Sequence, residues 1–205
     1  MAKNEDYRWQ FGAKNPLRIY EREILIKSIS GKKVLDIGGG VGRLANELQS
    51  SGHDVTVLEY DSELLKKGKE NFQDIRFMQG SVYEIPFKDD TFDEVIMEQV
   101  LEHLQDHNEA VKECLRVLKK GGTLTISTPN KYIYRIYIFF CRVAELKILK
   151  LFSHVDGHIC EITYNDAKIL CRKNKAKIIG LNPFLKKIAM NNPLLGIDFM
   201  IKITK

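Results

Sequence analysis

Glycines at 38, 40 and 42 follow Asp36 in the run VLDIGGGVGRL, residues 34–44. A short apolar run that breaks into glycines reads as a buried strand ending where bare backbone must approach a ligand closely. Leu44, Ala45 and Leu48 then repeat with helical spacing, so the glycines stand between a strand's carboxyl end and a helix's amino end. In an open α/β sheet that crevice is where a nucleotide-like cofactor lies. The next apolar run, His53–Leu58, ends at Glu59, followed by Tyr60 and Asp61. An acidic residue about 20 positions past a glycine loop is placed to meet a ribose. A carboxylate suits that place because its two oxygens accept from both hydroxyls of a cis-diol. A dinucleotide fingerprint G-x-G-x-x-G starting at Gly38 would need glycine where Arg43 stands, and starts at Gly39 or Gly40 fail as well. An NAD-dependent enzyme is therefore an outside candidate.

Further along, the segment Ile85-Pro86-Phe87-Lys88-Asp89-Asp90-Thr91-Phe92-Asp93-Glu94-Val95 leads into a fourth apolar run, and Val100-Leu101-Glu102-His103-Leu104 follows it. Arg116-Val117-Leu118-Lys119-Lys120-Gly121-Gly122-Thr123-Leu124 completes the series, as the end of a helix and a Gly-Gly turn before a fifth strand. In this order and spacing, over residues 34–130, the chain resembles the class I S-adenosylmethionine (SAM) dependent methyltransferases. The resemblance is firm over that stretch and loose over 131–205. It implies an α/β fold with a seven-stranded, mostly parallel, Rossmann-like doubly wound sheet whose last strand is antiparallel. It also implies SAM as cofactor, with S-adenosylhomocysteine as product. Gly38, Gly40 and Gly42 would line the methionine and ribose end, with Asp36 beneath. Glu59, with Tyr60 beside it, would hold the ribose, Ser81 and Val82 the adenine, and Gln99 would border the transferred methyl. Ser81 departs from the Asp usual in the family; a shorter, uncharged acceptor weakens adenine recognition by about 1 kcal/mol.

The elements that must position these residues follow from apolar periodicity and turn signals. Strands are expected near 33–38, 54–59, 75–79, 92–97, 121–128, 176–181 and 197–204, and helices near 16–29, 43–50, 62–72, 105–118, 132–150 and 164–174. This alternation argues for a parallel sheet with helices on both faces. A chain of 205 residues suits one such domain, 1–205, and is too short for two full ones. Residues 1–30 are expected to form an N-terminal helical cap, carrying Tyr7, Trp9, Phe11 and Tyr20 either across the cofactor pocket or over the sheet edge. Residues 131–163 are expected to form a lid or insertion between strand five and the following helix. Four scattered cysteines without a C-x-x-C pair suggest reduced thiols in a cytoplasm. The start, Met-Ala-Lys-Asn-Glu-Asp, lacks the apolar core of a secretory signal.

Charge is segregated. Residues 1–130 hold 18 Lys and Arg against 22 Asp and Glu, a net −4, whereas 131–205 hold 14 against 5, a net +9. Such a basic half fits an anionic partner, nucleic acid or lipid surface, and equally a solvated face. Within it, residues 131–153 read KYIYRIYIFFCRVAELKILKLFS. Arg135, Arg142, Glu145, Lys147 and Lys150 interrupt the apolar run, which argues against a transmembrane helix. On a helical wheel Lys131, Arg135 and Arg142 share one side, and Ile133, Tyr137, Phe140, Ala144 and Leu151 another. An ordinary packed lid, a peripheral membrane or lipophilic-substrate contact, and an oligomer contact all satisfy this pattern.

Methyl transfer is an in-line displacement, so the protein must position an acceptor and, for a hydroxyl, remove its proton. His103 and His158 are the candidate bases. Subfamilies with Glu-x-x-Glu-His after strand four bind a divalent metal. Here Gln99, Glu102 and His103 occupy those places, so an amide replaces the first carboxylate and the charge match for a hard cation is poorer. His158, Glu161 and Thr163 fit the His-x-x-Glu-x-Thr context of the small-RNA enzymes in that group. His107 reads as a solvent-facing helix residue and His53 as a loop residue. The function expected is O-methylation of a small, apolar or lipid-like acceptor. The alternatives are an RNA 2′-O-methyltransferase, with nucleic acid the less favoured partner, and a SAM-binding protein without turnover, for which Ser81 and Gln99 would be symptoms.

Overall fold

The computed structural model describes residues 16–130, 163–172, 175–181 and 198–205. Helix α1 (Pro16–Ser28) starts on a proline, which is preset for a helix's first position. It is followed by β1 (Lys33–Ile37), α2 (Arg43–Ser50), β2 (Asp54–Glu59), α3 (Ser62–Asn71), β3 (Arg76–Gln79) and β4 (Phe92–Glu98). After a short 3₁₀ turn (Leu101–His103) come α4 (His107–Val117), β5 (Leu118–Pro129), α5 (Tyr164–Arg172), β6 (Lys175–Leu181) and β7 (Asp198–Thr204). The seven strands pair in the order β3-β2-β1-β4-β5-β7-β6. Strands β1 to β5 run parallel to one another, and β7 is antiparallel to both β5 and β6. The strand order reverses between β1 and β4, the place where open α/β sheets bind ligands.

Both sheet faces are buried, and successive strand residues point to opposite sides. Leu35, Val95, Met97, Leu124 and Ile126 pack with Val111, Cys114 and Val117 of α4 on one face. Val34, Val55, Val57 and Ile96 pack with Leu25 and Ile29 near α1 and with Leu44 and Leu48 of α2 on the other. Local caps fix where helices begin. The Asp61 carboxylate accepts from the Glu63 and Leu64 amides at α3, and Asp106 accepts from Glu109 at α4.

Element boundaries match the expected ones to within a few residues, with one correction. Gly121 and Gly122 do not form a turn ahead of β5; they lie within it. Leu118 pairs with Phe92 and Thr123 with Glu94, so residues 119–122 bulge from the ladder, with Gly121 at φ 79°. Lys205 holds the bulge: its carbonyl accepts from the Gly121 amide and its amide donates to Gly122. The expected helix at 132–150, the lid as far as residue 162, and residues 1–15 of the cap lie outside the described residues. Among the described residues no helix is long and apolar enough to cross a membrane.

Candidate functional site

At the carboxyl ends of β1 and β2 the glycine turn meets Glu59. The Gly38 amide donates to Leu58 (2.7 Å), the Gly42 amide to Gly39 (2.9 Å) and the Gly40 amide to Glu59 Oε2 (2.8 Å). Gly38, Gly40 and Gly42 all have positive φ. At Gly42 a Cβ would stand 2.6 Å from the Phe77 ring, which explains that glycine by packing. At Gly40 a Cβ would meet nothing within 4 Å. The turn is therefore open at Gly40, where its backbone faces free space beside the Glu59 carboxylate.

Asp36 lies beneath, 1% exposed, and its Oδ2 has no hydrogen-bond partner. Burial, then the neighbouring Glu98 carboxylate and to a smaller extent Glu59, push the Asp36 carboxyl up to about 8, against the opposing pull of Arg22. Arg22, on α1, donates to Glu98 through Nη2 (3.0 Å) and Nε (3.4 Å), and its Nη1 approaches Glu47 of α2 at 3.6 Å. Burial disfavours the guanidinium charge, but Glu98, with Glu47 and Asp36, holds it more basic than usual. The cluster thus has more carboxylates than local cations, and its innermost carboxyl oxygen is unpaired. Glu59 uses Oε2 for Gly40 and Oε1 for the Asp61 amide (2.9 Å), leaving further lone pairs on both oxygens. Tyr60 beside it is 77% exposed.

Ser81 and Val82 follow β3 in a tight turn. The Ser81 hydroxyl accepts from the Tyr83 amide (3.2 Å) and the Ser81 carbonyl from the Glu84 amide (3.2 Å); Val82 is buried. Gln99, just past β4, has φ 56°, unusual for a non-glycine residue. Its amide donates to the Ser127 carbonyl (2.7 Å), its Nε2 reaches the Ser127 hydroxyl (3.4 Å), and its Oε1 is enclosed without a partner.

His103 is on the 3₁₀ turn with its side chain exposed, and its amide donates to Val100 (2.9 Å). His158, with His154 and Glu161, lies outside the described residues. Glu102 is buried and accepts the Thr128 hydroxyl (3.0 Å). Thr163 caps α5 reciprocally. Its amide and hydroxyl donate to Asp166 Oδ2 (2.8 and 2.6 Å), while the Asp166 amide donates back to its hydroxyl (3.2 Å). Among the described residues no three His, Cys, Asp or Glu side chains are grouped to hold a metal ion. His107 departs from expectation: it is half-buried, with Nε2 enclosed and unpaired, rather than facing solvent. His53 is a loop residue as expected, its Nδ1 2.8 Å from the Gly31 carbonyl. Cys114 is buried and Cys171 half-buried, both free thiols.

Sequence reasoning does not single out Arg22, Glu98 or Tyr83. Arg22 does leave a signal: with Leu25 and Ile29 it falls at helical spacing on one stripe, a charge where an apolar residue is expected.

Residues 35–126 match the family described as "Methyltransferase domain". Over 120 residues the chain is 33% identical to a demethylmenaquinone methyltransferase of Renibacterium salmoninarum, covering 55% of this chain and 51% of that protein. Over 194 residues it is 29% identical to a ubiquinone biosynthesis O-methyltransferase of Haemophilus ducreyi, covering 87% of this chain and 81% of that protein. Otherwise the chain spans about half the length of several curated relatives it matches, from 42% to 51%. Among solved structures, a SAM-dependent methyltransferase from Thermotoga maritima superposes with TM-score 0.70 at 21% identity, covering 98% of this chain and 95% of that one. One from Aquifex aeolicus gives 0.65 at 15%, covering 93% and 94%. These likenesses establish the seven-stranded α/β fold.

Proposed function

From a chain that belongs to the class I SAM-dependent methyltransferase family, we infer an enzyme that transfers the methyl of SAM to an oxygen of a small, apolar, lipid-like acceptor. The observation that carries the acceptor class is the similarity, along most of both chains, to an O-methyltransferase of ubiquinone biosynthesis. A demethylmenaquinone methyltransferase among the relatives supports the lipid-like acceptor class, though not the choice of oxygen.

The site's residues fit SAM. A buried carboxyl with an unpaired oxygen, held up to about 8 by burial and by its acidic neighbours, is a place where positive charge on a ligand is favoured. Asp36 would therefore face the cationic methionine end, with Gly40 leaving room for close backbone approach. Glu59 would accept from the ribose hydroxyls with the lone pairs that Gly40 and Asp61 leave free. Ser81 and Val82 would border the adenine, with Tyr60 at the rim, and Gln99 would border the transferred methyl. When bound, SAM supplies a methyl activated by its sulfonium, so what remains for the protein is to align the acceptor and take its proton. His103, exposed on the 3₁₀ turn that follows β4, would be the group that takes that proton. Residues 131–153 would act as lid or as peripheral membrane contact for a lipophilic acceptor, in a protein working in the cytoplasm or at a membrane's surface.

The test is transfer of radiolabelled methyl from SAM into a host extract, separated into organic-soluble, nucleic-acid and protein fractions. Label in the organic fraction supports the reading. Label confined to RNA overturns it, and no label despite tight S-adenosylhomocysteine binding favours a protein without turnover.

A further inference from the structure

Tyr83 belongs to neither the glycine turn nor the residues that border the acceptor, yet it spans the gap between two loops that do. The Ser81 hydroxyl takes the Tyr83 amide and the Ser81 carbonyl takes the Glu84 amide, so the turn after β3 sets the direction of the Tyr83 side chain. The phenolic oxygen then accepts two backbone amides from the segment after β4, Gln105 at 3.0 Å and Asp106 at 3.2 Å. Asp106 is the cap of α4, and the segment continues directly from the 3₁₀ turn that carries Glu102 and His103. Gln105 and Asp106 are exposed, and Tyr83 itself is 38% exposed. Water could serve those amides equally well, so the bond is not required to satisfy buried groups. What it does is tie the loop at Ser81 and Val82 to the loop at His103.

We propose that Tyr83 is a positioning residue that transmits occupancy of the adenine side of the cofactor site to the loop bearing His103. A ligand packed against Ser81 and Val82 narrows the motions of their turn, and the phenolic oxygen passes that restraint to the Gln105 and Asp106 amides. The inference rests on the cofactor reading above, because it places the adenine at Ser81 and Val82.

The experiment is amide hydrogen exchange, read residue by residue in ¹⁵N-labelled protein, with and without S-adenosylhomocysteine, for the natural protein and Tyr83→Phe. In the natural protein the ligand is expected to slow exchange about tenfold at Gly40 and Val82 and at Gln105 and Asp106. In Tyr83→Phe, which keeps the ring, the slowing persists at Gly40 and Val82 and falls below about twofold at Gln105 and Asp106. The variant's unfolding midpoint stays within about 2 °C, since the residues whose amides it releases are exposed. A merely structural role would lower the midpoint and leave the ligand-induced slowing at 105 and 106 intact, which overturns the proposal. So does a natural protein in which the ligand protects Gly40 and Val82 but not Gln105 and Asp106. If the ligand protects neither Gly40 nor Val82, the cofactor reading itself fails and takes this inference with it.

Discussion

On one side of the molecule, Arg116 of α4 meets Glu113 through two parallel bonds, Nε to Oε1 (2.7 Å) and Nη2 to Oε2 (2.9 Å). The same guanidinium donates to the carbonyls of Ile85 and Phe87 and to Asp89, each at 2.8 Å, while Glu113 accepts the Ile85 amide at 3.1 Å. Arg116 holds the Glu113 carboxyl below its usual value, and Glu113 with Asp89 makes Arg116 more basic than usual. Beneath the glycine turn, Arg22, Glu98, Glu59 and Asp36 assemble from the same residue types, but Asp36 is pushed up to about 8, by burial first, and keeps an unpaired oxygen. The first cluster is complete by itself and pins the loop that enters β4. The second has three carboxyl groups to one guanidinium, which is the state expected of a site that awaits a positively charged ligand.

The strongest way to break this contrast is Arg116→Ala. It removes the donors of two loop carbonyls and leaves the half-buried Glu113 without its cation and with only the Ile85 amide, so urea denaturation near neutral pH should show a loss of about 3 kcal/mol. S-adenosylhomocysteine affinity, measured by calorimetry, should stay within about threefold, because the cluster acts on the fold. A stability loss below about 1 kcal/mol would erase the difference between the two clusters.

Asp36→Asn is the matching change on the other side, expected to weaken S-adenosylhomocysteine binding at least about tenfold, or about 1.4 kcal/mol. It should also alter the pH dependence of stability. The folded chain keeps the Asp36 proton up to about 8, while the unfolded chain releases it near about 3.9. Between those values the folded state binds more protons, so this group makes the natural protein less stable as pH rises through that window, with no further change above it. Urea denaturation near about pH 5 and about pH 8 should show a smaller difference between the two conditions in the Asn variant. Identical pH dependence in both proteins would mean that Asp36 is not strained in the folded state.

Gly40→Ala sharpens the contrast further. With nothing within 4 Å of the added Cβ but φ at +56°, the fold should lose about 1 kcal/mol, whereas ligand affinity should fall about tenfold because the methyl enters the space the cofactor needs. Equal, small effects on both would place the ligand elsewhere. The smallest change is Thr163→Ala, which removes a paired cap and should lower stability by about 1 kcal/mol in thermal melts. Under the capping role, a chelator leaves methyl transfer unaffected; loss of transfer on chelation would return Thr163 to a metal-assisted site.

Much of the fold is legible in the sequence because its signals are local. Asp36 and the three alternate glycines mark a strand that stops at a turn, and apolar spacing marks the helices that follow, whose caps at Asp61 and Asp106 only the structure shows. The 119–122 bulge is not legible: a Gly-Gly pair signals a turn, and only pairing with Lys205 turns it into part of β5. His107 defeats a reading from helical position, which does not say what packs over a helix's first turn. Thr163 fits His-x-x-Glu-x-Thr, although its spacing to Asp166 is equally that of a cap.

Spacing along the chain by itself determined a parallel sheet with helices on both faces and a glycine turn at the end of β1; the roles of Ser81, Val82 and Gln99 came from the family resemblance. The former depend on apolar period and glycine backbone freedom, each decided within a few residues of chain. Only the tertiary structure decided the charge state of the site. Arg22 and Glu98 are 76 residues apart in sequence, and Tyr83 reaches 22 residues ahead to Gln105. Coulomb energy and desolvation depend on distance and burial in space, and no spacing along the chain encodes either.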